Sequence, residues 1–562
     1  MKRVFFSLAL TAALAAPAFA SDDKTLDAPP AGIAPASATL SQILKAYDTA
    51  TGRLAPSARN TRQETWAFTK AGLAGTETLV RSGMDYRSHI VTGPLAEDYG
   101  QLLGHAWRRF PGGVVTPVQS PDYTSFEMLL FMRSLDEAAD PKNDVTVLGE
   151  VQSPKPAYVL QVKTTGAKHP DFVFYDKKTG LIDRFESVVD GKRTAITYDD
   201  YRSTKGLTQP WHVHFTDGTA GLDDDFVRKS LTIGGPVDAS QFAPPASTFG
   251  FEYYNGHQTL PARVIGDRWR LDIGDDHYID VIAPTLVVRL NVGGRGLDFA
   301  VSAAERHSLI DFDVAQELNL PSYGQTTHAG GENIPYDTIV PQADLGGLLL
   351  RNWAVRATPF HYHLNQETKV VGMIGYDVLS SGVFKIDYMN GTFEVFPAKA
   401  FDGDRPALVK DADILPVHFD DGMPFFTGSI DSHVTNNILF DNDFDTSFVF
   451  GSFTTQYPDS VKDVVTGKSH GSAMVPFADS KGFGKEVHIW LANVPRIEFG
   501  PAEFQNYRII ASDADLEGNG IDAVMGGDLL RFYDIYLDYP HNRIFLQPNK
   551  LFFKVFQVKV EK

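Results

Sequence analysis

Hydrophobic and polar residues alternate along much of the chain in short runs separated by turn residues, which is typical of β-strands. In the first half, the runs that predict strands are 64–70, 77–82, 85–92, 157–163, 172–175, 182–189, 193–201 and 211–216. A helical stripe precedes them, beginning near Thr39 and ending at Gly52. This order predicts one helix against a meander of antiparallel strands, an α+β half-barrel that ends at the Pro-rich break Phe242–Pro245.

One pattern in the second half occurs twice. An apolar turn into Gly375 is followed by a short helix and by a hairpin around Asn390-Gly391, a dipeptide that favours a two-residue turn with φ > 0 at both positions. The same pattern returns around Gly526 and through Asp538. Gly375 and Gly526 are 151 residues apart, and so are Asp387 and Asp538. A constant offset between two separated motifs indicates an internal duplication.

The repeated pattern resembles the C-terminal half of each lobe in retropepsin-like and pepsin-like aspartic peptidases. The resemblance covers residues 252–549 and implies two β-barrel lobes, at 252–398 and 413–549, related by a pseudo-two-fold axis. The expected fold is therefore mainly β, with two aspartic-peptidase-like lobes preceded by an α+β curved-sheet domain at 38–248.

The N-terminal half resembles the lipoprotein-carrier fold, through Gly104–Trp107, the turn Asp176–Leu181 and Tyr201–Pro210. The resemblance implies a cavity for an apolar ligand, such as a lipid or a peptide segment. The alternative is a structural companion domain whose inner face is simply packed.

The resemblance also places the two catalytic positions. After a break at Ala283-Pro284 and two strands, Ser302-Ala303-Ala304 stands where an active family member has Asp-Thr-Gly, and the helix 311–318 follows. In lobe 2 the corresponding residues are Asp441-Asn442-Asp443. The two loops are in register because Ser308-Leu309-Ile310 follows Ser302 at the distance at which Ser447-Phe448-Val449 follows Asp441.

Peptide hydrolysis in this family uses two aspartates that share one proton, so the count of carboxylates decides the function. Asp441 holds one catalytic position and Ser302 the other. We therefore expect a catalytically degenerate protein that binds a peptide or another ligand in the inter-lobe cleft, with 327–336 and 469–476 in the places of the flaps. The alternative is an active aspartic-type endopeptidase in which Asp441 works with another partner, such as Asp443 or Asp298.

Metal sites are weakly indicated. Asp441, Asp443 and Asp445 match three positions of a calcium loop, but Thr446 and Ser452 stand where Gly and Glu are needed. The segment from Asp513 has the glycine, at Gly518, but Val524 stands where Glu is needed. Two His-x-His pairs, His212/His214 and His361/His363, could each face zinc from one strand, yet neither has a third ligand close in sequence. No metal and no cofactor is predicted.

Composition fits an exported globular protein. The 562 residues should form three to four domains, and the formal charge of −19 argues against nucleic acid or an anionic membrane as partner. Cysteine is absent, which excludes disulfides and thiol chemistry. Residues 1–20 have the pattern of a signal peptide cleaved after Ala20, and 21–37 that of a flexible leader. No later apolar run could span a bilayer, so we expect a periplasmic or secreted protein.

Overall fold

The computed structural model describes residues 26–52, 61–70, 72–119, 135, 137–164, 167, 169–189, 192–218, 223–254, 256–272, 278–323, 335–359, 369–464, 473–479, 482–514 and 520–555. The predicted signal peptide, with its cleavage site, lies outside these residues, as do His361 and His363. The segment 327–336 is described only from residue 335, and 469–476 only from residue 473. The protein is mainly β, as the sequence predicts.

The N-terminal half forms one antiparallel sheet of 13 strands, in the order β6-β5-β4-β3-β2-β1-β13-β12-β11-β10-β9-β8-β7. The strands are β1 Thr61–Lys70, β2 Leu73–Ser82, β3 Asp85–Thr92, β4 Leu95–Leu102, β5 His105–Arg109, β6 Val115–Val118, β7 Asp144–Val151, β8 Ala157–Lys163, β9 Asp171–Asp176, β10 Ile182–Val189, β11 Lys192–Thr204, β12 Leu207–Thr216 and β13 Asp224–Ile233. Five of these, β4 to β7 and β13, are additional to the strands that the alternation pattern predicts.

Helix α1, Leu40–Thr51, packs on this sheet where the apolar stripe predicts a helix. Thr39 caps its first turn in a reciprocal capping box with Gln42, and Gly52 ends it in the left-handed conformation at φ 64°. Ile43 and Tyr47 enter a core with aromatic residues of the sheet. Residues 26–37, predicted as part of a flexible leader, are held against the sheet, since Ala34 exchanges two backbone hydrogen bonds with Glu150.

The second half contains two successive sets of strands. The first set is β14 Phe251–Tyr253, β15 Gln258–Asp272, β16 Tyr278–Val292, β17 Arg295–Val301, β18 Leu309–Asp311, β19 Tyr336–Leu345, β20 Leu348–Thr358, β21 Gly372–Ile374, β22 Gly382–Asp387 and β23 Thr392–Pro397. The second set is β24 Asp413–Pro416, β25 His418–Asp420, β26 Met423–Ile430, β27 His433–Phe440, β28 Phe448–Val449, β29 Ala473–Asp479, β30 Gly482–Phe499, β31 Ala502–Ser512, β32 Ala523–Met525, β33 Tyr533–Asp538 and β34 Arg543–Pro548.

The remaining helices of the chain's described residues are short. They are α2 Phe312–Glu317, α3 Tyr376–Leu379, α4 Gly451–Gln456, α5 Gly527–Leu530 and α6 Lys550–Val555, with 3₁₀ turns at Glu137–Ala139, Ala239–Phe242, Ala398–Phe401, Ala407–Val409, Pro458–Val461 and Tyr539–His541. We call β14–β23 lobe 1 and β24–β34 lobe 2. Among the described residues, no helix is both long enough and apolar enough to cross a membrane.

The two lobes share a sheet. Strand β22 of lobe 1 pairs antiparallel with β33 of lobe 2, from Val383 opposite Asp538 to Asp387 opposite Asp534. Each of these strands also pairs with the next strand of its own lobe, β23 or β34. The sheet therefore runs without interruption from one lobe to the other.

Two local predictions are wrong. The predicted break at Ala283-Pro284 is absent, because β16 runs through Pro284, which lies opposite Gly266. Pairing of β16 with β17 begins only at Val287, so the missing N–H of proline can face an unpaired side. The second concerns Asn390-Gly391, where only Gly391 has positive φ, at 60°. The Asp387 carboxylate accepts the Asn390 N–H at 2.9 Å and holds a four-residue loop.

Candidate functional site

Each lobe holds one loop by the same strand arrangement. In lobe 1, β21 lies between β17, which is parallel to it, and β18, which is antiparallel. In lobe 2, β32 lies in the same way between β27 and β28. The loops from Ser302 to Ser308 and from Asp441 to Ser447 therefore leave and return beside one central strand.

A buried serine ties each loop to the glycine of the duplicated motif. The Ser308 hydroxyl donates to Asp377 at 2.6 Å and accepts the Gly375 N–H at 3.0 Å. In lobe 2, the Ser447 hydroxyl donates to Asp528 at 2.8 Å and accepts the Gly526 N–H at 3.1 Å. The duplication that the sequence indicates thus extends to individual hydrogen bonds.

Asn442 bridges the two loops. Its Oδ1 accepts the Ala303 N–H at 2.7 Å, and its Nδ2 donates to the Val301 carbonyl at 2.8 Å. Ala303 and Val301 are the two neighbours of Ser302, and Asn442 follows Asp441. The structure therefore brings the two predicted catalytic positions to the same place at the junction of the lobes.

Two tyrosines reinforce this contact from opposite sides. The Tyr539 hydroxyl, from lobe 2, donates to the Ala303 carbonyl at 2.8 Å. The Tyr388 hydroxyl, from lobe 1, donates to the Asn442 carbonyl at 3.4 Å. Tyr388 and Tyr539 are 151 residues apart, so the same motif position reaches across the junction from each lobe.

Asp441 is a buried carboxyl group. It is 8% exposed, and its Oδ1 accepts the Asp443 N–H at 3.0 Å. Burial raises the pKa of Asp441 to about 6, while backbone N–H groups of Asp443 and Phe444 act to lower it. The group can therefore exchange a proton in mildly acidic solution, which is a requirement for acid–base chemistry.

Ser302 is hydrogen-bonded to Glu305 within the lobe 1 loop. The Ser302 hydroxyl oxygen accepts the Glu305 N–H at 3.1 Å, and both residues are buried. The pKa of the Glu305 carboxyl is raised to about 8, chiefly by burial and to a smaller extent by the charges of Asp443 and Asp377. Arg306 and the His307 N–H act in the opposite direction. Glu305 is a candidate that the sequence pattern does not single out, although this acid lies three residues after the predicted catalytic position Ser302.

The two suggested partners of Asp441 differ in their surroundings. Asp443 is buried beside Asp441, and its charge acts on Glu305. Asp298 forms ion pairs with Arg263 and Arg289 on lobe 1, the second at 3.7 Å. The structure thus brings Asp443 to the junction and engages Asp298 with lobe 1 arginines.

Among the described residues, no group of three or more histidine, aspartate or glutamate side chains is arranged to hold a metal ion. His212 and His214 share one oxygen of Asp225, at 3.0 and 3.1 Å, on the N-terminal sheet. In this structure the two histidines therefore both contact the partly exposed carboxylate of Asp225.

The comparisons with known proteins are limited. No protein family and no curated protein matches the chain. A LolA superfamily protein from Nitrosomonas europaea is similar over 37% of this chain and 99% of its own, with 11% identity and a TM-score of 0.27. Basic 7S globulin from soybean is similar over 53% of this chain and 97% of its own, with 12% identity and a TM-score of 0.29.

Proposed function

We propose that this chain is an aspartic-peptidase-like protein that binds a peptide or another ligand between its two lobes without hydrolysing it efficiently. The observation that carries the proposal is the contact of Asn442 with both neighbours of Ser302. This contact supports the proposal because it joins the two predicted positions, one of which, Ser302, has no carboxylate.

The chemistry follows from that count. In a dyad of carboxylates, one activates water while the other protonates the substrate carbonyl. A serine hydroxyl does not ionise between about pH 3 and pH 7, so Ser302 cannot replace the missing carboxylate. Its hydroxyl oxygen accepts the Glu305 N–H. Asp441 therefore has no second carboxylate at the position that Ser302 occupies. This supports ligand binding, and not efficient hydrolysis, as the role of the site.

The remaining parts of the proposal concern location and a second ligand. The predicted signal peptide would place the protein in the periplasm or outside the cell. A lipid or other apolar ligand in the N-terminal half is also proposed, from the resemblance alone. Against it, α1 and aromatic residues such as Trp66, Phe185 and Phe226 fill a core on that sheet.

Proteolysis of labelled casein between about pH 3 and pH 7, with and without pepstatin, tests the main proposal; that is the range in which a dyad shares a proton. Calorimetric titration with pepstatin and with a peptide library measures binding in the same samples. We expect binding of at least one extended peptide and no pepstatin-sensitive cleavage, with Asp441→Asn leaving any residual cleavage unchanged. Robust acid proteolysis that Asp441→Asn abolishes would overturn the proposal.

The hydrogen bond from the Glu305 N–H to Ser302, which places Glu305 beside the position without a carboxylate, favours a second candidate, a hydrolase in which Glu305 supplies the second acid. Between about pH 6 and pH 8, Asp441 would be ionised and Glu305 protonated, which are the states of a general base and a general acid. Extending the assay to pH 9 separates the two candidates. A bell-shaped rate profile with limbs near 6 and 8, lost in both Asp441→Asn and Glu305→Gln, would support the hydrolase.

A further inference from the structure

One edge of the N-terminal sheet meets both lobes at their junction. We call this edge, residues 105–118 with strands β5 and β6, the junction edge. The Asp421 N–H donates to the Pro117 carbonyl at 2.9 Å, and the Gly422 N–H donates to the Thr116 hydroxyl at 3.0 Å. The Tyr376 ring of lobe 1 packs on the same turn, because a Cβ atom at Gly422 would lie 3.0 Å from it. The lobe 2 turn therefore contacts both the junction edge and a lobe 1 helix.

The lobe 2 partner is a tight turn. Asp421 and Gly422 connect β25 to β26 as a two-residue loop, and both have positive φ, at 51° and 86°. This geometry is that of a type I′ turn, which fixes the direction of both backbone N–H groups. The junction edge thus binds a rigid element of lobe 2.

The Asp421 carboxylate links all three parts of the chain. It is 1% exposed and lies 3.3 Å from the Arg108 guanidinium of the junction edge. It also lies 3.4 Å from the Arg306 guanidinium of lobe 1. Since a buried carboxylate is stable only when its charge is compensated, the two arginines and Asp421 depend on one another.

An aromatic contact completes the junction. Phe110 lies against His307 and Tyr376 of lobe 1, with ring centroids 6.0 and 6.4 Å apart, and belongs to the hydrophobic core of the lobes. Arg306 and His307 directly follow Glu305, and the Tyr376 N–H donates to the Glu305 carbonyl at 2.8 Å. The junction edge therefore contacts His307, two residues after Glu305, and Tyr376, whose N–H binds the Glu305 carbonyl.

We infer that the junction edge is a brace that positions the Glu305 loop of lobe 1 against the Asp421–Gly422 turn of lobe 2. The N-terminal sheet then contributes to the inter-lobe site, because it limits the motion of the loop from Ser302 to Ser308. This inference goes beyond the proposed function and holds whether the site binds a ligand or hydrolyses one.

Hydrogen–deuterium exchange of the full chain tests the brace without any ligand. Asp421→Asn leaves both arginines without their shared carboxylate, and Thr116→Val removes the hydroxyl with little change of shape. For Asp421→Asn we expect exchange in peptides covering residues 302–309 to increase about tenfold or more, with a smaller increase for Thr116→Val.

Glu64→Gln is the matched control. Glu64 is also a buried carboxylate paired with an arginine, Arg228 at 3.1 Å, but the pair lies within the N-terminal sheet. The Glu64→Gln substitution should raise hydrogen exchange in β1 and β13 and leave exchange in residues 302–309 unchanged. Equal exchange at 302–309 in the wild type and in both junction variants, or an equal increase in the Glu64→Gln control, would overturn the brace.

Discussion

The hydroxyl of Tyr539 donates a 2.8 Å hydrogen bond to the carbonyl of Ala303, across the junction between the lobes. The reciprocal bond, from Tyr388 to Asn442, is longer at 3.4 Å. The junction is therefore symmetrical in its layout and unequal in the strength of its contacts.

This inequality predicts unequal effects of removing the two hydroxyls. Tyr539→Phe should destabilise the lobes by about 1 to 2 kcal/mol, because it leaves the buried Ala303 carbonyl without this donor. Tyr388→Phe should cost clearly less, since its bond is long. Urea unfolding of the two variants, followed by tryptophan fluorescence, compares them directly, and equal losses would contradict the prediction.

Asn442→Ala should be more damaging than either tyrosine variant. The substitution removes the hydrogen-bond partners of the Ala303 N–H and the Val301 carbonyl together, so the free energy of unfolding should fall by about 3 kcal/mol. Asn442→Thr should recover part of it, because a hydroxyl can both accept and donate at this position. Asn436→Ala, at an exposed position on the same lobe, is the control and should stay close to wild type.

Gly375 and Gly526 should not tolerate a methyl group. A Cβ atom would lie 2.6 Å from the Glu305 carbonyl oxygen at the first position and 2.6 Å from the Thr446 carbonyl carbon at the second. Both contacts are with backbone, which cannot move aside cheaply, so each Gly→Ala change should cost on the order of 3 kcal/mol. Gly112→Ala, where a Cβ atom would meet nothing within 4 Å, should be nearly neutral in the same thermal unfolding assay.

The raised pKa values of Asp441, about 6, and Glu305, about 8, make stability depend on pH. The folded protein keeps protons that the unfolded chain releases above about pH 4, so this contribution is complete at low pH and is lost as pH rises through 6 and then 8. Glu305→Gln should flatten the decline between about pH 5 and pH 8, by up to roughly 1.4 kcal/mol per pH unit.

Urea midpoints measured at half-unit pH steps check this expectation. Glu503→Gln is a suitable control, because the exposed Glu503 has its pKa lowered by hydrogen bonding to Arg496 and titrates below this window. A decline of the same slope in wild type and Glu305→Gln would show that Glu305 ionises normally in the folded protein.

The sequence predicts best those helices and turns whose formation depends only on neighbouring residues. Helix α1 begins and ends within one residue of the prediction because Thr39 and Gly52 are caps that depend only on their neighbours. The type I′ turn, by contrast, forms at Asp421-Gly422 instead of Asn390-Gly391. Asp387 captures the Asn390 N–H there, and that competition is not part of the dipeptide pattern.

The sequence predicts which loop positions correspond, but not the interactions between them. The register of the two loops pairs Ser302 with Asp441, whereas the bridging role of Asn442 requires knowing which backbone groups face it. Glu305 was missed because its burial results from Gly375 and the opposite lobe, which are distant in sequence. The packing of the junction edge against both lobes has the same non-local origin.

The strand pairing between the lobes has a consequence for how such a protein could be assembled. Lys385 lies opposite Tyr536, its own counterpart in the duplication, and the pairs on either side are arranged symmetrically about it. The register of β22 with β33 is therefore that of an isologous contact, in which each strand lies opposite its counterpart in the duplication. Two copies of a single ancestral lobe would pair in this same register. Fusion of two copies would then need only the connection through residues 398–412 to make the pairing permanent.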